Sequence, residues 1–292
     1  VPGQAHAVIV RSQHAHARLR AVDTKAALAA PGVLAVFTGA DVSGLGTMTM
    51  TLKRKRPDGS PMFARPHHGL TKDRVRYVGD PVALVVAETR AQAEDAADLV
   101  QIDYEPLPSV TATAEATRPG AAPVWDECPD NVSNIFEAGD RAATEAAFAR
   151  AHRVVRRRYV ITRVHAQFME PRGSLGVYDP NDDRYTLYAD VQYPHRVRNA
   201  LASSIFKVPE HKIRVVAGDV GGAFGTEGWQ YPEHKLVLWA ARKLRRPVKW
   251  TCERREAIMA DEHARDNVSD AELALDADGR FLAMRVQTLA DV

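Results

Sequence analysis

The chain has 292 residues, 45% hydrophobic and 26% charged, with a net charge of +2. That is the balance of an ordinary globular protein; it gives no global attraction to nucleic acid or anionic membrane, and no apolar run approaches the roughly 20 residues of a membrane-spanning helix. Two cysteines, Cys128 and Cys252, are too few for a disulfide framework and lack metal-ligand spacing, so reduced thiols and a cytoplasmic setting are expected.

In chain order, Ala7–Arg11 reads as a strand, Thr24–Ala30 as a short helix closed by Pro31-Gly32, and Val33–Thr38 as a second strand. Residues 43–70 read as a long polar loop containing the basic run Lys53–Arg56. Pro81–Ala87 is an almost continuous apolar run suited to a buried strand. Thr89 is placed to cap a helix over Arg90–Leu99, and Val100–Tyr104 reads as the returning strand. Prolines 106, 108, 119, 123 and 129 then mark an extended connector, and with it a domain boundary.

The second region opens with a short alanine-rich helix, Arg141–Ala151, and an alternating strand, Arg153–Thr162. Strands follow at Gly173–Tyr178 and Tyr185–Ala189. A helix begins at Pro194 and continues through Phe206, and another strand covers 213–217. A helix over 231–243 and a strand over Val248–Cys252 come next. Asp276-Ala-Asp-Gly279 between Glu272–Leu275 and Phe281–Val286 is a hairpin signal. A chain that opens on Val1 and stops on a strand reads as one part of a cut or split polypeptide. The composite is a mixed α/β, α+β fold.

Gly218, Gly221, Gly222 and Gly225 punctuate the stretch between the strand 213–217 and the helix 231–243. Glycines between strand and helix let backbone N–H groups approach a ligand. Neither the G-x-G-x-x-G dinucleotide spacing nor the Gly-Lys-Ser/Thr ending of a P-loop is present. Gln192 lies just past the strand Tyr185–Ala189, where ligands sit in open α/β sheets. Glu170 and Arg172, within His165-Ala-Gln-Phe-Met-Glu-Pro-Arg172, read as an acid–base element or, the more frequent case, a buried ion pair that fixes the turn. His14, His16, His67 and His68 read as structural or solvent-facing histidines, and Lys53–Arg56 as a solvated loop or a partner contact.

Taken in order, the motifs form a series. Arg11-Ser-Gln-His-Ala-His-Ala17, Tyr77-Val-Gly-Asp-Pro-Val-Ala83 and Ile102-Asp-Tyr-Glu-Pro-Leu-Pro108 are followed by Met169-Glu-Pro-Arg172 and by Gln192 with Pro194. Gly221-Gly-Ala-Phe-Gly225, Arg246-Pro-Val-Lys-Trp250 and Arg254-Arg-Glu256 with His263 complete it. The series resembles the molybdenum-binding subunit of the xanthine dehydrogenase, aldehyde oxidase and aerobic carbon monoxide dehydrogenase family over essentially the whole chain. The resemblance implies a hammerhead domain over 1–108, a connector over 109–134, and the first, incomplete part of the molybdopterin-binding domain over 135–292. It implies molybdenum held by molybdopterin, as the cytosine dinucleotide, with no directly ligating side chain.

By the same resemblance, Gln192 matches the glutamine beside the molybdenum centre, and Gly221, Gly222, Ala223, Phe224 and Gly225 match the turn that packs against the metal's apical side. Two positions depart from the family's common form: Glu227 stands where Lys is usual, and Ala223 replaces a third glycine. The family's general-base glutamate belongs to a C-terminal part not represented in this sequence, so no catalytic residue is assigned here. The implied reaction is hydroxylation of an aldehyde, an N-heterocycle or a similar electron-poor carbon with water as oxygen donor. The implied partners are the rest of the molybdenum subunit, an iron–sulfur subunit and an FAD subunit in a hetero-oligomer. A non-catalytic assembly subunit of the same fold, or a carbohydrate- or nucleotide-binding module, are the competing readings.

Overall fold

The computed structural model describes residues 1–48 and 54–291, so Lys53 of the basic run lies outside the described residues. In chain order the strands and helices begin β1 (Ala5–Arg11), β2 (Ala17–Asp23), α1 (Lys25–Leu28), β3 (Val33–Thr38), β4 (Arg74–Val75), β5 (Pro81–Ala87), α2 (Arg90–Ala97) and β6 (Gln101–Pro106). Next come α3 (Thr113–Ala116), α4 (Arg141–Ala149), β7 (Arg153–Val164), β8 (Gly173–Asp179), β9 (Arg184–Ala189) and α5 (Pro194–Ala200). The last are β10 (Ile213–Val216), α6 (Pro232–Leu244), β11 (Val248–Thr251), α7 (Arg254–Ala260), β12 (Ala264–Leu275) and β13 (Phe281–Ala290). A π-helical turn, Leu201–Phe206, follows α5 and ends at Lys207 in the left-handed region. The mixed α/β expectation holds. Sequence periodicity does not reveal β2, β4, α3 or α7, and it shortens β12 to its last turn-proximal residues.

Contacts group the chain into two compact units: Val1–Met50, Arg65–Pro108 and Ala166–Glu262 form one, and Thr51–Ala64, Ser109–His165 and His263–Val292 the other. The first is built on a seven-stranded mixed sheet, β10-β9-β8-β11-β1-β5-β3, beside a three-stranded sheet, β4-β2-β6. Strands β1 and β11 are parallel, with Ala5 opposite Val248 and Ala7 opposite Trp250. Every residue of β5 is buried, as its unbroken apolar run requires. Alternation then sorts its side chains: Val85 and Ala87 pack with Ala93 and Ala96 of α2, while Leu84 and Val86 enter the main core with Leu236, Leu238 and Trp250. Helix α2 starts where the sequence places it, because Thr89 and Gln92 satisfy each other's backbone N–H groups in a capping box.

The main core also contains charge. Arg11 of β1 bonds Glu233 of α6 at 2.5 Å and Glu256 of α7 at 2.7 Å. Arg172, just before β8, bonds the other oxygen of Glu233 at 3.0 Å and Asp261 at 2.7 Å. The Arg172 guanidinium lies 3.6 Å from the ring centre of Tyr231, a cation–π contact inside the fold. Burial alone would raise the pKa of Glu233, but Arg172 and Arg11 hold its carboxyl far below the usual range. The predicted Glu170–Arg172 ion pair is therefore corrected. Arg172 turns inward to Glu233 and Asp261, while Glu170 bonds the Gly221 N–H at 2.6 Å.

The second unit holds the antiparallel sheet β13-β12-β7. Arg156 pairs with Glu272, Arg158 with Asp270 and Arg163 with Asp266 across β7 and β12. These pairs are largely exposed and each contributes little, so pairing register and the β12–β13 hairpin carry the sheet. Gly279, at φ +81°, closes that hairpin as its sequence predicts.

Removing one member of the buried network leaves opposing charge without a partner. Glu233→Gln is expected to lower the unfolding free energy by roughly 3–5 kcal/mol, measured by urea unfolding. A loss under 1 kcal/mol would mean that packing, not charge pairing, holds Arg11 and Arg172.

Candidate functional site

Strands β9 and β10 are parallel, with Ile213 opposite Tyr185 and Val216 opposite Tyr188. Parallel neighbours end at the same edge of a sheet, so the segments that follow them emerge together. The first is Asp190-Val-Gln-Tyr193, which leads to Pro194 at the start of α5. The second is the glycine-rich turn, which passes through a 3-10 turn at Thr226–Gly228 before α6. A backbone hydrogen bond joins them: the Gln192 N–H donates to the Glu227 carbonyl at 3.1 Å. Gln192 and the turn, distant in sequence, thus meet at one edge.

The turn has the conformation that its glycines permit. Gly222 lies at φ +108° and Gly225 at φ +97°, and Ala223 is not among the residues of positive φ. A Cβ on Gly221 would stand 2.5 Å from the Cβ of Glu170, and one on Gly222 would stand 3.1 Å from that of Phe168. The 165–172 segment therefore seats the turn, with Phe168 buried beneath it. The Thr226 N–H donates to the Ala223 carbonyl at 2.9 Å, and the Gly228 N–H to that of Gly225 at 3.2 Å. Phe224 is driven into the left-handed region, at φ +48°, and its ring is 82% exposed. A bulky residue held there is strained, a cost that persists where the surrounding structure dictates it.

Met169 in the segment that seats the turn, Tyr193 beside Gln192 and Trp229 just after the 3-10 turn are exposed as well. The Arg196 guanidinium covers the Trp229 ring at 4.2 Å. Nothing lies within 4 Å of where a Cβ on Gly218 or Gly225 would stand, so these stretches of backbone are open to close approach. Among the described residues, no group of three or more His, Cys, Asp or Glu is arranged to hold a metal ion.

Carboxyl groups collect beneath the turn. Asp190 accepts the Gly173 N–H at 2.9 Å, and burial, then the charge of Glu170, raises its pKa. Glu227 is pushed up to about 8 by burial first and then by Asp190, against the pull of Arg172. The sequence marks Glu227 only as a departure in charge. Flanked by Thr226 and Gly228, it carries no local sign that it is buried. Asp190 and Asp261 are likewise absent from the sequence-level candidates.

The histidines lie elsewhere. The His14 ring packs on Tyr104 at 4.6 Å, and His16 Nδ1 lies 2.8 Å from the Pro108 carbonyl. Burial, then Arg65 and Lys235, lowers His67 to about 4, which keeps its ring neutral.

Replacing Gly222 by Ala forces a Cβ into the left-handed region against Phe168. Gly222→Ala is expected to cost about 1–2 kcal/mol, read as a lower thermal midpoint, and an unchanged midpoint would show the turn free to relax.

A family model described as "Aldehyde oxidase and xanthine dehydrogenase, a/b hammerhead domain" matches residues 1–108. One described as "Molybdopterin cofactor-binding domain" matches residues 124–292. The chain is 38% identical to the nicotine 6-hydroxylase large subunit of Paenarthrobacter nicotinovorans, covering 100% of this chain and 35% of that protein. It is 36% identical to the carbon monoxide dehydrogenase large chain of Afipia carboxidovorans, over 100% of this chain and 36% of the other. The crystal structure of quinoline 2-oxidoreductase from Pseudomonas putida 86 superposes with a TM-score of 0.87 at 36% identity, covering 99% of this chain and 36% of that one. The chain thus spans little more than a third of the length of these relatives.

Proposed function

This chain belongs to the aldehyde oxidase and xanthine dehydrogenase family of molybdenum hydroxylases, and we propose that it supplies the first cofactor-facing part of such an enzyme's molybdenum subunit. The hammerhead domain occupies 1–108, an extended connector 109–134, and the first lobe of the molybdopterin-binding region 135–292. The observation that carries this reading is the meeting of Gln192 with the Gly221–Gly225 turn at the carboxyl ends of β9 and β10.

The residues present fit a flat, anionic cofactor. The turn's backbone is open where glycines stand, so N–H groups can approach without Cβ interference. Phe224 presents a ring that excludes water from the approaching face, and the Gln192 amide offers both a donor and an acceptor. Molybdopterin, as its cytosine dinucleotide, supplies when bound the two-electron oxidation in which water is the oxygen donor. The general base comes from the remaining part of the molybdenum subunit. Electrons pass to iron–sulfur clusters and then FAD on partner subunits of a cytoplasmic hetero-oligomer. The substrate is a small molecule oxidised at an electron-poor carbon, an aldehyde or an N-heterocycle. Relatives named for nicotine and quinoline support the second class.

A second reading has one observation in its favour: a buried acid, Glu227, lies beneath a turn that would face an anion. A non-catalytic assembly subunit of the same fold would tolerate this.

Molybdenum per polypeptide in natively purified complex separates the two, with mass spectrometry identifying the co-purifying chains. About one molybdenum per copy is the expected result for the enzyme. No molybdenum in a sample holding the complete partner set would leave a scaffold. In the loaded complex, Gln192→Ala is expected to reduce turnover by about 10–100-fold, the range for an outer contact to a metal centre. Unchanged turnover would remove Gln192 from the site.

A further inference from the structure

Glu227 is 1% exposed, and neither carboxyl oxygen has a hydrogen-bond partner. Three other acids face it: Asp190 from the end of β9, Glu170 from the segment beneath the turn, and Asp261 from the end of α7. The cation facing it is Arg172, whose Nε and Nη1 donate to Asp261 and Glu233 and whose buried Nη2 makes no hydrogen bond to Glu227. An ionised carboxylate in such surroundings has lost its water, gained no donor and met three like charges. Each of these favours the neutral form, or else expulsion of the side chain to solvent.

The same residue holds Gln192. Its carbonyl accepts the Gln192 N–H at 3.1 Å, and the adjoining Gly228 is a neighbour of the same segment: a Cβ there would make ordinary contact with the Tyr193 ring at 3.5 Å and with Gln192 Oε1 at 3.8 Å. The buried side chain of Glu227 and the backbone bond to Gln192 thus belong to one residue.

We propose that Glu227 is a positioning residue: its carboxyl group is buried as the neutral acid, keeps residues 226–228 in place and thereby fixes Gln192, and loss of its proton to solvent water releases both. The functional meaning rests on the assignment of Gln192 to the cofactor site; the coupling itself does not. The upward displacement to about 8 from an ordinary 4.5 agrees with this arrangement. The folded chain then keeps a proton that the unfolded chain loses above about 4.5, so this group's contribution to stability falls as pH rises from about 4.5 towards 8.

The test uses the full 292-residue chain labelled with carboxyl-13C glutamate. The Glu227 resonance is identified by its loss in Glu227→Gln, or in Glu227→Met if the first variant folds poorly. It is followed through pH together with hydrogen exchange at the Gln192 amide. The expected result is a carboxyl midpoint near 8 and a loss of Gln192 protection of about tenfold or more across that step, beyond any change in the neutral variant. A midpoint near the ordinary 4.5, or the same loss of protection in the variant, would overturn the proposal. Neither readout needs bound cofactor, so failure here and failure of the cofactor assignment are separate outcomes.

Discussion

Two guanidinium groups and three carboxylates, all but Glu256 closed away from water, set the geometry of the larger unit. Arg11, Arg172, Glu233, Glu256 and Asp261 come from β1, the approach to β8, α6 and α7. Each would be costly to bury alone, so the elements that carry them can pack only where all are matched. The lattice extends to the candidate site through Tyr231. Its ring lies under Arg172, and its hydroxyl donates to the Thr226 carbonyl at 3.0 Å while accepting the Glu262 N–H at 3.0 Å. The turn that presents Phe224 is thereby tied to the charged core by a short chain of contacts.

The site rests equally on strand direction. Because β9 and β10 run the same way, their exits coincide, and a glutamine after one strand meets a glycine turn after the other. Nothing in the side chains of either segment needs to specify that meeting; sheet topology does so. The turn then spends backbone strain at Phe224 to show an aromatic ring to the outside. Met169, Tyr193 and Trp229 add further exposed apolar surface, suited to burial against a ligand or a further part of the protein.

Much of this was legible locally. The bounds of β3 and β5 follow from apolar runs between turn residues, and the start of α2 follows from Thr89 and Gln92. The positions of Gln192 and the glycine turn, between strands and helices, were equally plain. What stayed hidden has a common physical cause, in that it depends on partners far along the chain. Strand β2 pairs with β6 and β4, and alternates too weakly to stand out alone. The first half of β12 is polar and is a strand because β7 and β13 flank it. Arg172 was assigned to the acid nearest in sequence, Glu170, whereas its partners lie 61 and 89 residues away. Burial of Glu227 is a property of the packed edge, and no spacing rule announces it.

The pairing of Ala5 with Val248 has a consequence for how the chain is made. Once made, strand β1 cannot find its parallel neighbour until roughly 240 further residues have been polymerised, a wait on the order of 10–50 s at ordinary elongation rates. During that interval one edge of β1 is unpaired, although β5 can already cover the other. Closure of the seven-stranded sheet is therefore a late event in biogenesis. The nascent N-terminal region must persist as a partial sheet, open to chaperones, before the site at β9 and β10 can be locked to it.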